Sequence, residues 1–181
     1  MNPRFVLTGG PGSGKSTLIA ALREAGHAVT EEAGRAIIRE EVARGGDALP
    51  WGDRAAYARR MLAYDVAAWR AAEGQTGPAF FDRGIPDIRG YLRLSNETPL
   101  PEVEAAIAMH VYARTVFVAP PWEAIFGQDA ERTQDFAEAV RTHDVMVEVY
   151  SALDYRLVPL PLAPVSQRLD FVRRAIGLSV A

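Results

Sequence analysis

The segment GGPGSGKST at residues 9–17 constrains this chain more than any other part of its sequence. It matches the pattern G-x-x-x-x-G-K-[ST], with Gly9, Gly14, Lys15 and Ser16 at the fixed positions. Lys15 is the one lysine in a chain with 19 arginines, so this position uses a compact, flexible ammonium group where a planar guanidinium is otherwise the rule. The pattern predicts a P-loop that binds phosphate.

The sequence on both sides of this segment has the setting that a phosphate-binding loop requires. An apolar run at residues 5–7 predicts a buried strand, and apolar-periodic residues from 18 to 22 begin a helix. The alternative is a glycine-rich turn that matches by chance, in roughly one chain in a hundred of this length, since Gly makes up about 7% of residues. If the match is functional, backbone N–H groups of the loop point inward at the phosphates, and the positive N-terminal end of the helix faces the same anions.

We expect Mg·ATP to bind on this loop. Lys15 would reach the outer phosphates, and the Ser16 hydroxyl would ligate Mg²⁺. The chain has no second lysine for an [NT]-K-x-D motif, which excludes the Ras-like form of GTP recognition. The residues expected to contact the nucleotide are Gly10, Pro11, Gly12, Ser13, Gly14, Lys15, Ser16 and Thr17.

Composition excludes several other classes of function. A length of 181 residues predicts a single domain, and 49% hydrophobic residues allow a normal core. A net charge of −3 gives no sign of a nucleic-acid partner, and the absence of cysteine excludes disulfides and thiolate catalysis. No apolar run approaches 18 residues and no apolar leader precedes the P-loop, so we expect a cytoplasmic protein without a membrane partner.

Strand and helix patterns alternate along the chain. Because several apolar runs are continuous, they predict a five-stranded parallel sheet buried on both faces, in a three-layer α/β P-loop NTPase fold. The predicted strands are residues 4–8, 28–31, 78–82, 115–119 and 155–160. The predicted helices are residues 15–25, 33–45, 52–73, 84–95, 101–113, 131–152 and 165–178.

Asp82 and Arg83 directly follow the third predicted strand. Ligands of such sheets bind outside the carboxyl ends of the strands, so this carboxylate is expected near the P-loop. We interpret Asp82 as a catalytic or Mg²⁺-holding group, as in the second acidic motif of P-loop enzymes. The alternative is an ordinary helix N-cap. Arg83 is expected either to contact a phosphate or to pair with a nearby acid.

Glu31 and Glu32 follow the second strand and are candidates for a general base. Strand alternation points the two side chains in opposite directions, so one of them faces the cleft. We favour Glu32, with Arg35 one helical turn further on. The alternative is that either glutamate only supplies charge to the first turn of the next helix.

Two further regions complete the predicted site. Residues 120–141 are lid-like, and Arg132, with Arg141 as second choice, is expected to stabilise transferred charge. The alternative is a solvated helix face with weak ion pairs. Residues 33–75 are predicted to form helices that cap an acceptor pocket, although the aromatic Trp69 is expected in the core. Asp87 and Tyr91 could line the other wall of the pocket.

Together these segments resemble a known family. The chain is similar over residues 4–177 to the bacterial "predicted ATPase" proteins of the ribosylnicotinamide-kinase-like AAA group. The resemblance implies a nucleoside- or nucleotide-kinase-like P-loop fold, and Asp82-Arg83 is similar to the Asp-Arg pair with which thymidylate kinases handle phosphates. The segments that carry it are VLTGGPGSGKSTL, VTEEAGRAIIREE, LPW, FFDRGIPD, TVFVAPPWEAIFGQDAERTQDF and VSQRLDFV.

Three functions are compatible with a P-loop in a chain of this kind. The first is an enzyme that moves the γ-phosphate of ATP to a small nucleoside- or metabolite-like acceptor. The second is a slow NTPase or nucleotide-dependent switch that acts through a protein partner. A motor ATPase is the third, but at 181 residues no helical lid subdomain or sensor arginine is evident. Candidates for an acceptor pocket, a second carboxylate and a lid favour the kinase.

Overall fold

The computed structural model describes residues 2–126 and 135–178. In this part of the chain, strands and helices alternate, and short 3-10 turns follow the third helix and the fourth strand. The strands are β1 (Arg4–Gly9), β2 (Ala28–Thr30), β3 (Ala79–Asp82), β4 (Thr115–Ala119) and β5 (Arg156–Pro159). The helices are α1 (Lys15–Glu24), α2 (Ala33–Arg44), α3 (Arg54–Ala71), α4 (Ile85–Leu94), α5 (Pro101–Met109), α6 (Phe136–Ala152) and α7 (Val165–Ala175).

All five strands are parallel and lie in the order β2-β3-β1-β4-β5. The central strand β1 therefore has β3 on one side and β4 on the other. Leu7 of β1 is in register with Asp82 of β3, and Gly9 is in register with Ala119 of β4. This order brings the ends of β1 and β3 to one edge of the sheet, where ligands of open α/β sheets bind.

The core lies on both faces of the sheet. Alternate residues of β1 point to opposite sides, so Val6 packs in the cluster that faces α3, α4 and α6. Phe5 and Leu7 pack in the other cluster, with Leu18 of α1 and Val172 of α7. Burial on both sides explains why the strands read as continuous apolar runs, and it confirms the predicted three-layer fold.

The predicted elements are confirmed, and the differences have local causes. The predicted helix over 101–113 is too long, because α5 ends at Met109 and Ala113 N donates to Arg4 O at 2.7 Å, which aligns the chain with β1 before β4. The predicted helix over 131–152 begins at Phe136, where the Asp135 side chain caps it by accepting from Glu138 N. Among the helices of residues 2–126 and 135–178, none is long and apolar enough to cross a membrane.

Candidate active site

The loop between β1 and α1 has the backbone that its glycines predict. Gly9, Gly12 and Gly14 have φ angles of 128°, 71° and 74°, which other residues rarely adopt. A Cβ on Gly9 would lie 2.3 Å from the Ala119 carbonyl oxygen. The loop is therefore held against β4 in a turn whose N–H groups suit an anion.

Lys15 is buried at the centre of this loop. Its Nζ donates to Gly10 O at 2.7 Å and to Gly9 O and Ser13 Oγ at 3.2 Å. Burial, followed by the positive charge of Arg83, lowers the pKa of Lys15 to about 8. The ammonium group therefore remains mostly protonated at neutral pH and is held where the loop would receive phosphate.

Asp82 lies at the end of β3, opposite Leu7 of β1. Its side chain is 4% exposed, and its Oδ1 atom has no hydrogen-bond partner among the described residues. Burial and the nearby Glu32 charge raise the pKa of Asp82 to about 6. A buried carboxylate oxygen without a partner, beside a phosphate-binding loop, fits a residue that holds Mg²⁺ or its water.

The rest of the donor set also suits Mg²⁺. Ser16 lines the cleft at the first turn of α1, where its hydroxyl can reach a metal on the phosphates. Among the described residues, no group of three or more histidine or acidic side chains is arranged to hold a metal. A site with one hydroxyl and one carboxylate is typical of Mg²⁺, which keeps several waters and binds through substrate phosphates.

Arg83 adopts a left-handed backbone with φ of 70°, which is uncommon for a residue other than glycine. Its Nε donates to Glu32 Oε1 at 2.9 Å, and its Nη1 donates to Asp87 Oδ1 at 3.1 Å. These carboxylates raise the pKa of Arg83 despite its burial, so the guanidinium stays charged. The strained turn is thus held by two ion pairs, and it aims the guanidinium into the cleft.

Of the two predicted glutamates, the structure places Glu32 in the cleft. Glu32 precedes α2, accepts a hydrogen bond from Arg83 Nε at 2.9 Å and forms an ion pair with Arg35, whose Nε lies 3.0 Å from Glu32 Oε2. Burial opposes its ionisation, but Arg83, Lys15 and Arg35 lower the pKa of Glu32 to about 2. The Glu31 side chain is 61% exposed and points away, with Arg23 near it. Strand alternation therefore separates the pair as expected.

Asp87 is a buried carboxylate with several hydrogen-bond donors around it. The sequence predicted only that it could line the wall of the pocket. It accepts hydrogen bonds from Thr8 Oγ1 and Tyr150 Oη, both at 2.6 Å, and from Gly84 N at 3.0 Å. Together with its Arg83 contact, these bonds join β1, β3 and α6 at one carboxylate. The signal in the sequence was an acidic residue at the third position of α4, which reads as an ordinary acid in the first turn of a helix.

A cleft of about 1000 Å³ connects the P-loop to a second wall built by α2, α3 and α4. On that wall Tyr57 and Tyr91 pack edge to face, with ring centroids 5.3 Å apart, and Asp65 lies on the same helix as Tyr57. Trp51 lines the cleft mouth and is 67% exposed. Trp69 is packed away from the cleft, with the Arg4 guanidinium 3.8 Å above its ring.

Arg168 of α7 contributes to the P-loop side of the cleft, and it was not identified from the sequence. Its Nη1 donates to the carbonyl oxygens of Ser13 and Gly14 at 3.1 and 3.3 Å, and its side chain is 3% exposed. It lies on the same helical face as Val172, so the available signal was a charged residue on an apolar stripe. Beside it, Trp122 and the segment after β5 line the other end of the cleft.

The lid-like region is only partly described. Arg132 lies outside the described residues, while Arg141 of α6 is exposed and lines the cleft. On either side of the segment from 127 to 134, Phe126 and Phe136 pack edge to face at 5.4 Å. Phe126 also lies against Gly12, because a Cβ there would be 2.4 Å from its ring. The two ends of the segment therefore meet beside the P-loop.

Comparison with known proteins agrees with this fold. Residues 4–168 match the family described as "AAA domain", and no curated protein matches the chain. A NadR protein solved in complex with NR matches with a TM-score of 0.75 and 20% identity. That match covers 99% of this chain and 52% of the NadR chain, so this chain spans about half the length of that protein.

Two solved kinases match over nearly their whole length. The deoxyadenosine kinase from M. mycoides, with dCMP and dCDP bound, has a TM-score of 0.68 and 14% identity, with 96% of this chain and 98% of that chain covered. The thymidylate kinase from Ehrlichia chaffeensis has a TM-score of 0.66 and 16% identity, with 97% and 99% covered. The chain therefore belongs to the AAA domain family and has the NadR-like P-loop fold of nucleoside and nucleotide kinases.

Proposed function

We propose that this protein is a P-loop kinase that transfers the γ-phosphate of Mg·ATP to a hydroxyl of a nucleoside- or metabolite-like acceptor. The observation that carries the proposal is the continuous cleft, in which a P-loop faces a wall of aromatic and carboxylic side chains. Its volume of about 1000 Å³ is at the upper end for ligand sites, so two ligands can lie end to end.

The transfer needs positioning and charge stabilisation more than covalent chemistry. The acceptor oxygen forms a bond to the γ-phosphorus as the bond to the bridging oxygen breaks, and ADP leaves. Lys15 and Arg83 are cations that line the cleft close to one another, and they would spread the developing charge. Ser16 would ligate Mg²⁺ and Asp82 would hold it through a bound water, and the metal would neutralise phosphate charge.

The two carboxylates suit different tasks at the acceptor hydroxyl. Glu32 has a pKa of about 2 and stays ionised, so it orients the hydroxyl by accepting its hydrogen bond but is a weak proton acceptor. Asp82 has a pKa of about 6, nearer the value at which a carboxylate takes a proton at neutral pH. Arg132, expected to close over the phosphates, lies outside the described residues and takes no part in this assignment.

The fold relatives support the choice of donor and acceptor. A NadR structure contains NAD and AMP-PNP, another contains NR, and the other two proteins are named as kinases of deoxyadenosine and thymidylate. We therefore assign ATP as the donor and a nucleoside-like molecule as the acceptor. At 14–21% identity the relatives have the same fold, and the assignment of donor and acceptor rests on the residues of the cleft.

The test is a phosphoryl-transfer assay with γ-labelled ATP, Mg²⁺ and a panel of nucleosides, nucleotides, sugars and aminoglycosides. Acceptors are first ranked by thermal shift with AMP-PNP. Lys15→Ala is expected to lower the rate of transfer by at least a hundredfold with an unchanged melting temperature. The control is Arg174→Ala, on the exposed side of α7, which should leave the rate of transfer unchanged. Normal turnover in Lys15→Ala would refute the P-loop assignment.

A switch that hydrolyses ATP slowly and acts through a protein partner is the second candidate. It is favoured by the large apolar side chains at the cleft mouth, Trp51 and Ile125, which are 67% and 44% exposed. Stabilisation by AMP-PNP together with no response to any acceptor would support this candidate and contradict the kinase.

A further inference from the structure

Asp65 lies on the acceptor wall of the cleft, away from the groups that handle phosphate. It follows Met61 by one turn of α3 and Tyr57 by two turns, and all three line the cleft. The side chain of Asp65 is only 7% exposed. A helix position with this burial ordinarily holds an apolar residue, because ionised carboxylates are almost never fully buried without a partner.

The carboxylate of Asp65 has no hydrogen bond or salt bridge within the described part of the chain. Arg83 is near enough to attract it, but that guanidinium already binds Glu32 and Asp87. Burial first, and then the charges of Asp87 and Glu32, raise the pKa of Asp65 well above its usual value. The carboxyl group is thus kept at a cost to the stability of the free protein.

We propose that Asp65 binds the acceptor by accepting hydrogen bonds from its hydroxyl or amino groups, and that it selects a phosphate-free, nucleoside-like acceptor over a nucleotide. This inference rests on the proposed kinase function. A donor group of the acceptor would satisfy the carboxylate in the bound state, which explains why the position is acidic. The stability that the free protein loses by burying this carboxyl group is then offset by specific binding of the acceptor in the complex.

The groups around Asp65 offer a phosphate little to bind on the same wall. Asp65, Asp87 and Glu32 place three carboxyl groups at this end of the cleft, where a phosphomonoester needs a free cation. Among the arginines from α2 to α4 that line the cleft, Arg83 and Arg35 bind Glu32, and Arg54 donates to Pro50 O and Ser95 O. The edge-to-face pair of Tyr57 and Tyr91 offers flat apolar surface for a base or sugar ring.

The first measurement is the thermal stability of the free protein with Asp65→Asn and Asp65→Leu. If Asp65 serves a ligand, both variants melt at the wild-type temperature or above it. Because the pKa of Asp65 is raised in the folded state, Asp65 stabilises the wild-type protein at low pH, where it is protonated, and this stabilisation is lost as the pH rises. The increase in melting temperature of the variants over wild type should therefore be larger at pH 8 than at pH 5. The charged and titratable groups around it are Asp87 of α4, Arg83, Glu32, Tyr57 and Tyr112. A fall of several degrees would show a structural role and overturn the proposal.

The second measurement is acceptor affinity in the presence of Mg·AMP-PNP. The probes are adenosine, cytidine, thymidine and their 5′-monophosphates. Wild type is expected to bind at least one nucleoside and to bind the matching monophosphate at least tenfold more weakly. Asp65→Asn should lose at least tenfold in nucleoside affinity, while its AMP-PNP affinity stays unchanged. Asp53→Asn is the matched control, because Asp53 is exposed at the start of the same helix and only caps it.

The outcomes separate the two proposals. Asp65→Asn with full nucleoside affinity, or a wild type that prefers the monophosphate, would overturn the role of Asp65 and leave the kinase assignment standing. AMP-PNP binding without a response to any nucleoside would overturn the proposed acceptor, and with it this inference.

Discussion

Removal of the Asp87 carboxylate should destabilise the whole protein, because four groups from different parts of the chain donate to it. Thr8, Tyr150, Gly84 N and Arg83 would each lose an acceptor in Asp87→Ala, and most of them are buried. Breaking a buried charge network in this way costs about 3–5 kcal/mol. For a chain of this length each kcal/mol lowers the melting temperature by about 2–4 °C, so we expect a fall of about 6–20 °C.

The assay is thermal and urea unfolding, with single variants that divide the effect among its parts. Tyr150→Phe removes one donor at 2.6 Å and should cost about 1–3 kcal/mol, because the acceptor is charged. Tyr155→Phe is the matched control, since its hydroxyl makes only a 3.4 Å contact with Tyr112 N and should cost less. A double variant of Asp87→Ala and Tyr150→Phe should be less destabilised than the sum, because the two residues share one interaction.

A melting temperature within 2 °C of wild type in Asp87→Ala would refute this reasoning. Such a result would mean that the donors find water or other acceptors once the carboxylate is gone. A fully additive double variant would instead show that Tyr150 acts through packing and that its hydroxyl bond contributes little.

Two further predictions concern the phosphate side of the cleft. Asp82→Asn should lose phosphoryl transfer far more than AMP-PNP affinity, and the wild-type kcat/KM, which reports the free enzyme, should rise with pH through about 6, as Asp82 ionises, and fall above about 8, as Lys15 loses its proton. A pH-independent rate between 5 and 9, or Asp82→Asn at full rate, would contradict this. Arg168→Ala removes two hydrogen bonds to P-loop carbonyls and should weaken AMP-PNP binding about tenfold by calorimetry, whereas the exposed Arg174→Ala should not. Equal affinities in the two variants would show that the loop holds its shape without Arg168.

The local elements of this protein follow from its sequence, because each depends on neighbouring residues. The P-loop needs glycines at fixed spacing between a strand and a helix, and the structure has positive φ angles at Gly12 and Gly14. Doubly buried strands need continuous apolar runs, which is why the parallel sheet and three-layer fold were predictable. Alternation continued along the extended backbone just after β2 was also enough to separate Glu32 from Glu31.

What only the tertiary structure decides is which distant side chains share one cleft. The strand order places β3 beside β1, so Asp82 lies next to the P-loop and Arg83 reaches Glu32 across 51 residues of chain. Asp65 reads as one polar residue in an aromatic helix, and Arg168 as one charge in a C-terminal helix. Their burial against the cleft depends on how α3 and α7 pack, which residue spacing along a single helix does not encode.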